Sequence, residues 1–127
     1  MSAMDKVLRG IAGLLGLLFL VMGVRWIIAP EGIANELGMP LLEGLALSTQ
    51  IGDLASFFVT LGLSALIGVI TLQRTWFYPA IMLLVGAALF RTLAWALHDA
   101  AFATQAISVE VVSAVILLVA ALRLTKA

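Results

Sequence analysis

The chain is 127 residues long, 64% hydrophobic and 11% charged, which is more apolar surface than a core of this size can hide from water, so it reads as an integral membrane protein. Seven basic and seven acidic residues cancel to a net charge of zero, which excludes the basic field that nucleic-acid binding requires. Without cysteine there is no disulfide, no thiolate nucleophile and no thiolate metal site, and the length corresponds to a single domain, residues 1–127.

Residues 7–28 form the first predicted span, apolar apart from Arg9 and Arg25. At about 1.5 Å per residue such a helix matches a hydrocarbon core of about 30 Å. Lys6 and Arg9 ahead of an apolar run imitate a secretory signal, but the run is longer than an h-region and no small-x-small cleavage site follows, so it reads as an uncleaved anchor. Gly10, Gly13, Gly16 and Gly23 leave one side of this helix without bulk, and another helix backbone is expected to pack there. The Gly10, Gly13 and Gly16 face would equally serve a homo-oligomer or a membrane partner.

Between the first two spans, residues 30–49 carry helix signals of their own. Pro30 suits a first helical position, Glu31 a first turn, and Gly38 followed by Pro40 a stop, which predicts a short helix in the membrane interface. Ile33, Ala34, Leu37, Met39, Leu41 and Leu42 are too apolar for an aqueous loop, leaving an interfacial connector or a lid over a cavity.

The second span is placed at residues 50–72. Thr49, Asp53, Ser56, Thr60, Ser64 and Thr71 recur at spacings of three and four, a stripe expected to face inward, either as ordinary packing or as part of a conduction path. Gln73, Arg74 and Thr75 allow only a tight turn, after which Trp76 and Tyr78 occupy aromatic-belt positions and Pro79 a first helical turn. The third span covers residues 76–98 and the fourth residues 106–124. The fold class is therefore all-α, an antiparallel four-helix membrane bundle with a short interfacial helix after the first span.

Charge sets the expected orientation. Lys6, Arg9, Arg74, Arg123 and Lys126 fall on one side, which the positive-inside rule makes cytoplasmic, so both termini are placed there. Glu31, Glu36, Glu43, Asp53, Asp99 and Glu110 fall on the other, with only Arg25 and Arg91 as basic company.

Four ionisable residues, Arg25, Asp53, Arg91 and Glu110, come one from each span toward that acidic side. Arg91 precedes His98 by seven residues, about 10 Å along the axis, and a charge at such depth costs about 2.5–3.5 kcal/mol unless paired or hydrated. Arg91, Trp95 and His98 follow i, i+4, i+7 spacing with Asp99 adjacent, so those three line one face and, turned inward, would make a small polar chamber, with His98 and Asp99 expected at its outer, interfacial end. One reading of the set is a structural ion network, Arg25 and Arg91 with Asp53 and Glu110. A second is a chamber for a lipid-like or small amphiphilic ligand, Arg91 the anchor and Trp95 a wall. A third is proton relay or acid-base chemistry by His98, Asp53 and Glu110. A lone histidine beside arginines, with no HxxxH or ExxH spacing, argues against a metal, and no residue pattern calls for a cofactor or names a catalytic group.

The first helix ending in Trp26 and Pro30, the Leu37-Gly38-Met39-Pro40 turn, Gly52-Asp53 opening the second helix, and Arg91 with Asp99 closing the third run through nearly the whole chain. In these features it resembles an uncharacterised family of small bacterial four-helix inner-membrane proteins. That resemblance implies a multi-pass inner-membrane address and no particular activity. Small multidrug transporters are of similar size but carry a central glutamate in the first helix, which this chain lacks. The expected function is thus a non-enzymatic membrane module binding an amphiphile or a partner membrane protein on the side opposite the termini. A proton-coupled transporter and an intramembrane enzyme built on His98 stand as alternatives.

Overall fold

The computed structural model describes residues 1–126, all helices and connecting turns. Four helices are long and apolar enough to cross a membrane: α1 Ala3–Ile28, α3 Gly44–Thr71, α4 Phe77–His98 and α5 Thr104–Leu124; a seven-residue helix, α2 Pro30–Glu36, joins α1 to α3. A 3-10 turn, Arg74–Trp76, leads into α4. Together they form the four-helix bundle expected of the sequence.

The helix ends follow local chemistry. Ser2 accepts a hydrogen bond from the Asp5 amide at 3.1 Å, so α1 begins several residues before the predicted span. Pro30 opens α2, where its missing N–H costs nothing. Gly38 ends it at φ +74°. The amides of Gly38 and Met39 return to the carbonyls of Asn35 and Ala34 at 3.0 and 2.9 Å, a Schellman arrangement that needs the left-handed residue glycine supplies. α3 starts six residues before the predicted boundary, so at about 1.5 Å per residue it is about 42 Å long and its first turns stand clear of a 30 Å core.

α1 packs most extensively against α3, and small residues make the approach possible. A Cβ on Gly62 would lie 2.5 Å from the Leu20 amide nitrogen and 2.6 Å from the Gly16 carbonyl oxygen; one on Gly23 would lie 2.6 Å from Val59 Cγ2 and 2.8 Å from its amide nitrogen. Gly68 makes the corresponding room for the Phe77 ring at the start of α4. α4 in turn packs on α5, and α5 on α1, so the helices close a ring around Phe19, Phe58, Leu61, Leu84 and Leu117. Leu14, Leu18, Val21, Met82, Phe90 and Val112 point outward, the surface expected of a chain whose solvent is lipid.

Two expectations about faces are corrected. Of the polar stripe on α3 only Ser64 is buried; Thr49, Asp53, Ser56, Thr60 and Thr71 are exposed. The face turned inward is Leu61, Gly62, Ala65 and Gly68, because without a hydrophobic drive in lipid the closest backbone approach decides which face packs. The glycine face of α1 is likewise divided. Gly16 and Gly23 are buried against α3, whereas Gly10 has nothing within 4 Å of where its Cβ would be.

Because the atoms meeting Gly62 are backbone, they cannot rotate away. Gly62→Ala is expected to destabilise by about 1–3 kcal/mol, read as a lower midpoint of thermal unfolding in a mild detergent, while Gly10→Ala leaves that midpoint unchanged.

Candidate functional site

The ionisable residues separate into local attachments. On α4, Arg91 donates from Nε to Glu110 Oε2 of α5 at 3.0 Å. Glu110 is buried, and the guanidinium side chain is 39% exposed, so the pair has a dry acidic half and a basic half open to the surroundings. Glu110 Oε1 is enclosed with no hydrogen-bond partner among the described residues. Both residues lie about 9–10 Å inside their helix ends at 1.5 Å per residue, a depth at which each charge needs the other. The pair ties α4 to α5, and of the two carboxylates the sequence left open for Arg91 it is Glu110 that lies within reach.

Arg25 does not join it. Its Nη1 donates to Glu36 Oε2 at 2.5 Å, across the Pro30 turn, and fastens α2 back onto the end of α1. Asp53, the other carboxylate expected in the network, makes no ion pair or hydrogen bond among the described residues. The separation follows from length: Glu36 comes within one short helix of Arg25, whereas Asp53 is turned to the exposed side of α3.

The inward chamber of Arg91, Trp95 and His98 does not form. Trp95 is half-exposed and meets Phe102 edge to face at 5.1 Å, and His98 and Asp99 are exposed at the end of α4. Trp95 shares its helical face with buried Leu84 and Ala88, yet burial on α4 ends at Ala88. Beyond Ala88 α4 is at most part-buried, although Arg91 still meets Glu110 of α5 there. Asp53, His98 and Glu110, the set a proton relay would need, are bonded to one another nowhere among the described residues, and no group of three His, Asp or Glu side chains there is placed to hold a metal ion.

A hollow at the acidic end lies elsewhere. A groove of about 610 Å³ is lined by Met39, Leu42, Leu45, Ala46, Thr49, Gln50, Asp53 and Leu54. Its floor is the first part of α3 and its edge is the segment that follows Gly38. Gln50, which the sequence reading passed over, holds that edge in place. The Gln50 side chain is buried; Nε2 donates to the Pro40 carbonyl at 3.0 Å, and Oε1 accepts the Leu42 amide at 3.0 Å. One amide thus satisfies a donor and an acceptor of a segment with no secondary structure of its own. The only signal for it was a glutamine amid apolar residues one turn before Asp53. The groove is apolar except for Thr49, Gln50 and Asp53, and with Gln50 committed to the connector Asp53 is its one charge.

Comparison with known proteins finds no matching family model, no matching curated protein and no matching solved structure.

Two outcomes test these attachments. Glu110→Gln removes the counter-charge of Arg91 and is expected to cost about 2 kcal/mol, below the usual figure for breaking a wholly buried pair because the arginine is partly exposed. A double-mutant cycle with Arg91→Gln should give a loss smaller than the sum of the two single losses. Gln50→Leu is expected to leave helix content unchanged by circular dichroism while speeding hydrogen exchange at the Leu42 amide.

Proposed function

We propose that this protein is a non-enzymatic module of the bacterial inner membrane that binds a small amphiphile with a cationic head group in the groove between α3 and the connector. In this reading the basic end, with both termini, faces the cytoplasm, and the groove opens at the opposite face. The apolar body of the ligand lies against Met39, Leu42, Leu45 and Leu54, and its head group meets the Asp53 carboxylate. The observation that carries the reading is a carboxylate with no partner among the described residues, at the side of an apolar groove whose edge is pinned by a buried glutamine.

The chemistry assigns the sign. Arg91 already has Glu110 and Arg25 already has Glu36, so the cations expected to anchor an anionic ligand are engaged, and the one charge lining the groove, Asp53, has no ion-pair partner among the described residues. A carboxylate beside an apolar surface at the membrane boundary attracts a cation more strongly than it would in bulk water, because the low-dielectric side screens it less. Apolar burial supplies affinity, and the single charge supplies orientation.

A second reading rests on a different observation. Ser56 and Thr60, which extend the stripe below Asp53, are exposed and make no side-chain hydrogen bond among the described residues, whereas Thr71 and Thr92 return theirs to the carbonyls of Ile67 and Ala88 at 2.7 and 2.8 Å. Free hydroxyls facing lipid favour a partner membrane helix along α3.

Titration calorimetry in an uncharged detergent separates these. Dodecyltrimethylammonium is expected to bind wild type with saturation and dodecyl sulfate not to; Asp53→Asn should weaken the cationic probe about tenfold, equivalent to about 1.4 kcal/mol. Equal binding of both probes, or no change with Asp53→Asn, would remove the amphiphile reading. Cross-linking that follows Ser56 and Thr60 to a second polypeptide would favour the partner.

A further inference from the structure

We infer that a second groove, at the basic end between α1 and α3, is a site for an anionic phospholipid of the adjoining leaflet. Its phosphate is held by Lys6 and Arg9, and the start of one acyl chain lies along Gly10 and Gly13. Met1, Lys6, Arg9, Gly10, Gly13 and Val69 line about 590 Å³.

Arg9 is built into the wall. Its Nε donates to the Val69 carbonyl at 2.9 Å and its Nη2 to the Ile70 carbonyl at 3.4 Å, satisfying carbonyls that the last turn of α3 leaves without intrahelical partners. These bonds hold the guanidinium beside the groove and do not cancel its charge, since carbonyls are neutral. Asp5, the neighbouring carboxylate among the described residues, is already engaged: its Oδ1 lies 3.1 Å from Arg123 Nη2. Lys6 therefore has no ion-pair partner among the described residues, and the groove carries two cations and no anion.

The floor selects a lipid over a free phosphate. A Cβ on Gly10 would meet nothing within 4 Å, and one on Gly13 only Val69 Cγ1 at 3.6 Å, so a channel without side-chain bulk leads away from the cations. From Lys6 to Gly13 is seven residues, about 10 Å along the helix, from the membrane boundary into hydrocarbon. Free phosphate has no use for that channel, whereas the first methylenes of an acyl chain fill it. This also accounts for the division of the α1 glycines: Gly16 and Gly23 are closed by α3, while Gly10 stays open beside the cations. A basic pocket between spanning helices at the membrane boundary is the setting in which anionic head groups are retained.

The test uses the full chain extracted in an uncharged detergent from vesicles of equal phosphatidylglycerol and phosphatidylcholine, with retained lipid identified by native mass spectrometry. Wild type is expected to keep phosphatidylglycerol in preference to phosphatidylcholine. Lys6→Gln should lower that retention about fivefold. Gly10→Leu, which fills the channel without altering charge, should abolish it. Gly86→Leu is the control, since Gly86 also has nothing within 4 Å, and should retain lipid as wild type does. Equal retention of the two lipids by wild type, unchanged retention in Gly10→Leu, equal loss in Gly86→Leu, or displacement by excess inorganic phosphate would each overturn the assignment. Asp53 lies at the other end of the bundle, so the outcome is independent of the amphiphile groove.

Discussion

The contact between α1 and α3 sets the rest of the bundle. In lipid, apolar side chains gain little by leaving their surroundings, and helices associate where backbones approach closely enough for dense van der Waals contact. Gly16, Gly23 and Gly62 provide that approach; with a Cβ at Gly62 the Leu20 amide nitrogen would be only 2.5 Å away. Once α1 and α3 are fixed at that spacing, Arg9 reaches the final carbonyls of α3. At the opposite end Trp26, Ile33 and Ala34 become buried, which brings α2 and the chain after it back over the start of α3. Both grooves are consequences of this one contact, one at each end of the same helix pair.

The charges then act mostly as fasteners for ends. Arg9 satisfies the last turn of α3, and Arg74 donates to the Ala121 carbonyl and Thr125 at the last turn of α5. Arg123 meets Asp5, joining the first and last long helices, and Arg25 meets Glu36, folding back the connector. Arg91 with Glu110 is the deep member of the set, and it joins the two helices that share least with α1 and α3. A buried pair of this kind specifies register more than it adds stability, because desolvation offsets much of the attraction. After these assignments two charges beside grooves are left over, Asp53 at the acidic end and Lys6 at the basic end. The two proposed sites rest on these two charges of opposite sign, one beside each groove.

How much of this could be read from the chain depends on the range of the interaction. Four spans, the connecting helix between Pro30 and the Gly38 stop, the tight turn before Trp76 and the separation of basic from acidic ends were all legible, because each rests on local pattern: length of apolar run, capping residues and charge between runs. The position of Arg91 well inside its helix was legible as well, and a charge placed so calls for a carboxylate.

Which residue met which was decided only by the tertiary structure. Helical spacing grouped Thr49, Asp53, Ser56, Thr60, Ser64 and Thr71 on one face but could not say where that face points. Close approach at Gly62 and Gly68 turned most of it outward. Two acceptors in reach by depth, Asp53 and Glu110, were equivalent for Arg91 until the packing of α4 on α5 chose Glu110. Gln50 was invisible as a clamp because its partners are backbone groups of Pro40 and Leu42, and backbone groups carry no sequence signal. The sequence by itself thus determined the number and order of the helices and the places of the charges along them, through local periodicity and the transfer cost of charge; the tertiary structure decided their rotation and pairing, which depend on backbone contact between segments far apart in the chain.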